Sequence, residues 1–522
     1  MKKFNVTGLC IPAKHYMVDT REKLAKIKTF IDAGSYFTIN RARQYGKTTT
    51  LYLLKQKLMG EYIVASISFE GVGNEPFETV QSFCAMLMRL IQKSLKFSSA
   101  SESYTKSWFD ENVTDFSLLD EHIAKFCRGN KLVLFIDEVD KTSANQVFLS
   151  FLGMLRNKYL ARESGEDFTF HSVVLAGVND IKTIKLQLVS QGLHTLSYGE
   201  AAHNSPWNIA VDFNVDMSFS PAEISTMLTQ YDDDHHTGMD IPPIAQEIYD
   251  YTSGYPFLVS RICQRIDEIL DKDWTVTGVR DAGKIILSEN CTLFDSIFKN
   301  LENDVDLYKY LYNILVRGTK ETFSFANPVI RNGLVMSLLK NHDGKVALAN
   351  RIFEIWVYDY LIAKFRMEEN HLPNTGIVDD GTISNGKFNM ELCLTKFAEH
   401  YEELYHDKYI DFLEEHGRIL FLTYLKPLIN GKGFYYIESQ FTDLRRMDIV
   451  VDYESRQFIL ELKIWRGETA HEKAYEQLAG YLKSKHVNEG YLVTFDLRKG
   501  KNHKQKSEWV EFAGKKIFDV VV

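Results

Sequence analysis

The sequence predicts an α/β chain with a parallel, doubly wound sheet at the front, a helical middle and a second, smaller α/β domain at the end. Three observations predict it. Short apolar, β-branched runs alternate with amphipathic helical patterns as far as about residue 218. From there to about residue 367 the helical period dominates. Strand-like runs return after residue 433, with one helical pattern between the last two. Alternation of strand and helix favours parallel pairing, because each crossover helix returns the chain to the same edge.

In order, residues 35–40 (SYFTIN) read as a strand and 48–58 as a helix with Leu51, Leu54 and Leu58 at helical spacing. Residues 62–69 (YIVASISF) form a second strand, and 80–95 another amphipathic helix. Residues 131–136 (KLVLFI) and 171–175 (HSVVL) are apolar strands. Helices follow at 221–231, 244–251 and 256–272, which suits a helical lid spanning 219–275. Short helices continue to residue 365, with a β-wing near 333–349, so 276–367 reads as a winged-helix-like module. Residues 368–387 (EENHLPNTGIVDDGTISNGK) are rich in Gly, Pro, Asn and Asp and read as a linker. In 388–522, helices at 388–405 and 409–429 precede strands at 434–441, 447–453 and 457–465, a helix at 468–485 and a strand at 490–495.

Composition narrows the function classes. Of 522 residues, 45% are hydrophobic and 25% charged, ordinary for a globular protein, and the net charge of −9 excludes a basic coat protein. Nucleic-acid contact would use local basic patches. The six cysteines form no CxxC pair, so reduced thiols in a cytoplasmic protein are expected, without a zinc site. No signal-peptide core and no run of about 18 apolar residues is present, so no membrane partner is expected.

Residues 40–50 read NRARQYGKTTT, between a strand and a helix. Gly46, Lys47 and Thr48 supply the second half of a P-loop, where backbone N–H groups at a helix N-terminus cradle phosphate oxygens. Lys47 reaches the β and γ phosphates and the Thr48 hydroxyl ligates Mg²⁺. The first glycine of that motif is replaced by Arg41. The strand KLVLFI ends in Asp137 and Glu138, as a Walker B motif does: Asp137 for the Mg²⁺ shell, Glu138 to polarise the attacking water. Asn179, after the strand at 171–175, is the candidate γ-phosphate sensor. Arg156 and Arg162 are arginine-finger candidates; surface salt bridges explain them equally well.

The run YFTINRARQYGKTTTL resembles the AAA-ATPase-like family of bacterial proteins, whose phosphate loop often carries R-x-R-x-[FY]-G-K-[ST] without the first glycine. The resemblance implies a P-loop NTPase fold with ATP bound by Arg43, Tyr45, Gly46, Lys47, Thr48 and Thr49. Residues 16–19 (YMVD) resemble that family's entry strand. Residues 252–257 (TSGYPF) resemble the G-x-P motif of signal-transducing ATPases, which implies that Pro256 lies near the nucleotide base.

Residues 445–465 read RRMDIVVDYESRQFILELKIW. Side chains alternate along a strand, so Glu461 and Lys463 share a face and Leu462 points the other way. Asp448, on the preceding strand, can join them. Two carboxylates offer hard oxygen ligands for Mg²⁺ or Mn²⁺, the metal activates a water, and Lys463 orients it or stabilises developing charge. In the next helix Gln477 and Tyr481 share a face.

This order, strand with Asp, strand with ExK, helix with QxxxY, strand, resembles the PD-(D/E)XK nuclease superfamily. The resemblance implies catalytic roles for Asp448, Glu461, Lys463 and Gln477, and a third acid upstream, with Glu438 ranked first and Glu414 and Glu415 as rivals. Lys483, Lys485, Arg498, Lys499, Lys501, Lys504 and Lys506, with Tyr481, Tyr491 and Trp509, can contact nucleic acid; a solvated lysine-rich loop is the plainer reading.

The expected function is an ATP-binding, ATP-hydrolysing protein coupled to a metal-dependent nuclease, acting on DNA rather than RNA, compatible with a homo-oligomer. Bacterial defence or mobile-element processing fits by analogy with the families. The alternatives are a catalytically degenerate nucleotide-sensing scaffold and an ATPase remodeller that only docks DNA.

Overall fold

A computed structural model describes residues 2–96, 106–108, 112–142, 145–178, 207–317, 319, 321–368, 381–384, 386–405, 414–429, 433–436, 449–454, 456–498 and 506–522. The chain divides into two compact units, residues 1–279 with 331–338, and residues 280–330 with 339–522.

The first unit is built on four parallel strands, β1 (Tyr36–Asn40), β2 (Ile63–Ser68), β3 (Leu132–Asp137) and β4 (Ser172–Gly177), in the order β1-β4-β3-β2. Helices α1 (Arg21–Asp32) and α2 (Lys47–Leu58) lie on one face. Helices α3 (Val80–Lys96), α4 (Phe116–Cys127) and α5 (Gln146–Glu163) lie on the other. The alternation within β3 shows why. Leu132, Leu134 and Ile136 pack with Phe83, Ile123 and Phe151, whereas Val133 and Phe135 pack with Ile27, Leu51 and Leu54. Both faces of the strand are covered, so it reads as a continuous apolar run. Each such fully buried side chain contributes roughly 1.5–3 kcal/mol.

A parallel bridge between Phe37 and Val211 adds a further segment beside β1, with Val211 N–H donating to Tyr36 O at 2.9 Å. Nothing in the local pattern predicts it, because a single bridge leaves no period. The lid helices are α6 (Pro221–His235), α7 (Ile241–Thr252) and α8 (Pro256–Glu268). A capping box starts α6: Ser220 accepts from Glu223 N–H, and the Glu223 carboxylate accepts from Ser220 N–H.

Helices α9 (Val276–Ser288), α10 (Thr292–Asn303), α11 (Val305–Leu315) and α12 (Pro328–Val335) follow. The hairpin β5 (Leu339–His342) and β6 (Lys345–Leu348) falls within the stretch expected to hold a wing. Helix α13 (Arg351–Glu368) and a two-residue pairing of β7 (Ile383–Ser384) with β8 (Lys387–Phe388) precede α14 (Met390–Tyr405) and α15 (Glu414–Ile429). Most of the predicted linker, 369–380, lies outside the described residues. Arg418 donates to Val316 O at 2.7 Å and Tyr435 to Asp359 Oδ1 at 2.6 Å. Such polar ties join the helices before that stretch to the elements after it, within the second unit.

That unit carries a six-stranded mixed sheet: β9 (Gly433–Tyr436), β10 (Ile449–Tyr453), β11 (Arg456–Ile464), β12 (Glu489–Phe495), β13 (Lys506–Phe512) and β14 (Lys515–Val521), in the order β13-β14-β12-β11-β10-β9. β9, β10 and β11 form an antiparallel meander. Helix α16 (Glu468–Ser484) then carries the chain to β12, parallel to β11. The closing hairpin β13–β14 corrects part of the lysine-rich-loop reading, since Lys506 opens a strand. β13 is an outer strand of the sheet, and none of its residues is fully buried.

Candidate nucleotide and metal sites

The loop between β1 and α2 is shaped by Gly46, which stands at φ +78° as the N-cap of α2. A Cβ there would meet nothing within 4 Å, so the requirement is conformational, not steric. No side chain caps α2, leaving its first N–H groups pointed into the loop. Lys47 is buried, and its ammonium donates to Arg41 O at 2.9 Å and Ala42 O at 3.1 Å. Burial holds its pKa below the ordinary lysine value, against the opposing pull of Glu138, Asp140 and Asp137.

Thr48 donates its hydroxyl to Asp137 Oδ2 at 2.7 Å. The end of β3 therefore meets the start of α2 although β4 separates β3 from β1. Glu138 follows at φ +56°, a left-handed conformation that costs of order 1 kcal/mol in a non-glycine residue. Burial raises its pKa, with Asp137, Asp140 and Glu70 adding to the rise and Lys47 opposing it. Asp140 Oδ2 accepts from Val178 N–H at 2.6 Å, closing the end of β4 onto the same place. Asn179 lies outside the described residues.

Arg41 explains how the loop does without its first glycine. Its guanidinium donates to Val215 O at 2.9 Å and lies 5.5 Å from the Phe213 ring. The side chain is spent on packing against the segment 213–215. The backbone carbonyl of Arg43 and the ring of Tyr45, both residues expected at the nucleotide, contact the lid. Tyr255 donates to Arg43 O at 2.6 Å, and the Tyr45 and Tyr255 rings meet edge-on at 4.7 Å. Gly254 is required there because a Cβ would fall 2.0 Å from Phe219 O. Pro256 sits buried at the first turn of α8. Thr49 accepts from Cys10 N–H at 3.2 Å, anchoring the N-terminal segment to α2. That segment, α1, α2 and α6 line a cavity of about 530 Å³ that includes Met17, Val18, Leu53 and Gln230.

Of the arginine-finger candidates, Arg162 is a clamp: it donates to Gly34 O, Phe170 O and His171 O at 2.7–3.0 Å. It also pairs with Glu163 at 2.9 Å, the salt bridge that the alternative reading expected. Arg156 is half-buried on α5.

In the second unit Glu461 is wholly buried, and Lys463 Nζ stands 2.7 Å from its Oε1. Leu462 is buried on the opposite face, as alternation requires. Asp448 and Glu438 lie outside the described residues, and nothing is described of the Glu414 and Glu415 side chains. The first described residue of β10, Ile449, pairs with Leu460, the residue before Glu461. Gln477 is half-buried on α16. Among the described residues no three His, Cys, Asp or Glu side chains gather as a metal site would require.

Several expected nucleic-acid contacts are engaged elsewhere. Tyr491 is buried and donates to Glu391 Oε1 at 3.2 Å, and Tyr481 is buried. Lys506 pairs with Glu508 at 2.7 Å and Arg498 grips Asp496 through two nitrogens. Trp509 is 42% exposed, Lys483 and Lys485 are on α16, and Lys499, Lys501 and Lys504 lie outside the described residues. Sequence reasoning missed a further polar cluster, His471, Tyr475, Thr494 and Asp519. Only the register of the last strand brings these residues together, and no local motif marks it.

No protein-family model matches this sequence, and no curated protein does. Solved structures similar to it include the Walker-type ATPase of Pyrococcus abyssi, at 11% identity and TM-score 0.46, covering 68% of this chain and 99% of that one. The Aeropyrum pernix ORC2 protein in its ADPNP–ADP complexes is similar at 12% identity and TM-score 0.34, covering 66% and 93%. Thermotoga maritima RuvB is similar at 13% identity and TM-score 0.32, covering 66% and 95%. Among the described residues no helix is long and apolar enough to cross a membrane.

Proposed function

We propose that the first unit binds ATP with Mg²⁺ and hydrolyses it. The contact between Thr48 and Asp137 carries this reading, because it joins a hydroxyl and a carboxylate at the mouth of an uncapped helix N-terminus. Those two oxygens are the hard donors that Mg²⁺ takes, and the helix amides with Lys47 supply the anion-binding half. Thr48 and Asp137 would hold Mg²⁺ there, and the ion would supply neutralisation of phosphate charge. Lys47 exchanges the carbonyls of Arg41 and Ala42 for phosphate oxygens, and Glu138 orients the attacking water. Tyr255 couples the phosphate loop to the lid, so a change at the loop is felt in α8. Asn179 is the proposed γ-phosphate sensor, and Arg43, Tyr45, Thr49 and Pro256 complete the nucleotide site. Calorimetric titration with ATP and Mg²⁺, with Lys47→Ala as control, tests this: no heat from the unaltered chain rejects it.

For the second unit we propose a metal-dependent nuclease of the PD-(D/E)XK kind. The order β10, β11, α16, β12 and the pairing of buried Glu461 with Lys463 support it. Glu461 with Asp448 would hold Mg²⁺ or Mn²⁺, with Glu438 as a further ligand. Lys463 would stabilise charge on the phosphate, and Gln477 would hold the substrate. DNA is the proposed substrate, and ATP state the proposed regulator. Incubation of the whole chain with single- and double-stranded DNA and RNA, with Mg²⁺ or Mn²⁺ and with or without ATP, tests it. Intact nucleic acid in every lane would leave a nucleotide-sensing scaffold.

A further inference from the structure

We propose that His471, held by Asp519, is a positioning residue of the candidate nuclease site and sets Lys463 through the hydroxyl of Thr494. This rests on the nuclease reading above and deepens it.

The sheet register carries the argument. Glu461 pairs with Leu492 and Leu492 with Asp519, while Lys463 pairs with Thr494. Residues paired in register project from the same face. Glu461, Lys463, Thr494 and Asp519 therefore share one face. Tyr475 and His471, one turn apart on α16, reach down to it. Asp519 Oδ2 accepts from Tyr475 at 2.7 Å and lies 3.0 Å from His471 Nε2. Lys506 Nζ stands 3.7 Å away. The carboxylate is wholly buried, and its Oδ1 has no hydrogen-bond partner among the described residues. Burying a carboxylate so incompletely satisfied costs stability that an apolar residue would not cost, which marks the cluster as more than packing.

The chemistry follows from the tautomer. A carboxylate at Nε2 fixes the proton there, leaving Nδ1 as an acceptor. Nδ1 lies 3.4 Å from Thr494 Oγ1. A hydroxyl that donates to Nδ1 keeps its lone pairs for a donor, and the neighbouring residue on that face is Lys463. The ring is boxed by Trp465 at 5.0 Å and by Tyr475. The charged groups around it are Asp519 on β14, with Lys506 and its partner Glu508 on β13.

The test is the steady-state kinetics of DNA cleavage by the whole chain with Mn²⁺, comparing His471→Gln, Asp519→Asn and Thr494→Val with Glu461→Gln as the inactive reference. Thermal melts confirm that each variant folds. We expect His471→Gln and Asp519→Asn to lower kcat about 10–100-fold, with KM changed less than about twofold. If Asp519→Asn does not fold, His471→Gln carries the test. Cleavage by His471→Gln with unchanged kcat, alongside loss in Glu461→Gln, overturns the positioning role and leaves the nuclease standing. Failure of the unaltered chain to cut under any metal overturns both.

Discussion

The hydroxyl of Thr48 and the carboxylate of Asp137 are 2.7 Å apart, across 89 positions of sequence. A parallel sheet makes this possible, because β1 and β3 end on the same edge and their following loops meet there. The hydrogen bond spans the place where both oxygens would ligate one cation. It holds the two segments together.

Lys47→Met should abolish ATP binding while raising the melting temperature. The wild-type ammonium is buried among loop carbonyls, and burial lowers its pKa from the ordinary 10.5. A base with a depressed folded pKa penalises the folded state at neutral pH and is relieved as pH rises toward 10.5. Removing the charge removes that penalty. Titration calorimetry and a melt at pH 7 and pH 10 check it: the stabilisation should shrink at the higher pH.

Glu138→Gln should separate binding from turnover. Loss of the water-orienting carboxylate is expected to lower kcat for ATP by about 10²–10⁴, with the affinity for ATP retained. Its raised pKa means that its stabilising contribution is present below the ordinary value of 4.5 and lost as pH rises through the folded value. The glutamine variant has nothing to lose, so it should melt higher than wild type at pH 7 and converge with it near pH 4.

Tyr255→Phe deletes the hydrogen bond to Arg43 O, and this should cost about 0.5–1.5 kcal/mol of stability. It should also weaken ATP binding, since the phosphate loop loses its tie to the lid. Unchanged ATP affinity in this variant would show that the tie is structural only.

Lys463→Ala should end cleavage and also destabilise the fold, because it leaves Glu461 buried without its cation. Breaking a buried pair costs about 3–5 kcal/mol, and the lower end is expected because Lys463 is 28% exposed. The double variant Glu461→Gln with Lys463→Met should recover much of that stability without activity. Denaturant melts of the single and double variants give the comparison.

Much of the first unit was legible in the residues. The strand and helix around Gly46, and the strand ending at Asp137, follow from apolar periodicity and one glycine. The roles of Arg41 and Thr49 were not legible, because their partners, Val215 and Cys10, are distant in sequence and are backbone groups. The clamp that Arg162 makes was not legible for the same reason: carbonyl acceptors carry no sequence signature. In the other half, Glu461 and Lys463 could be placed on one face from the two-residue period of a strand.

Local pattern by itself determined the strands β1 to β4 and β10 to β12, the helices α2, α3, α6 to α8 and α14 to α16, the glycine before α2 and the shared face of Glu461 and Lys463. These depend on neighbours within a few residues. Only the tertiary structure decided the order β1-β4-β3-β2, the meeting of Tyr255 with Arg43, and the gathering of His471, Thr494 and Asp519. Those relationships depend on strand order and register, and the energies that set them are spread over the packed faces of both sheets.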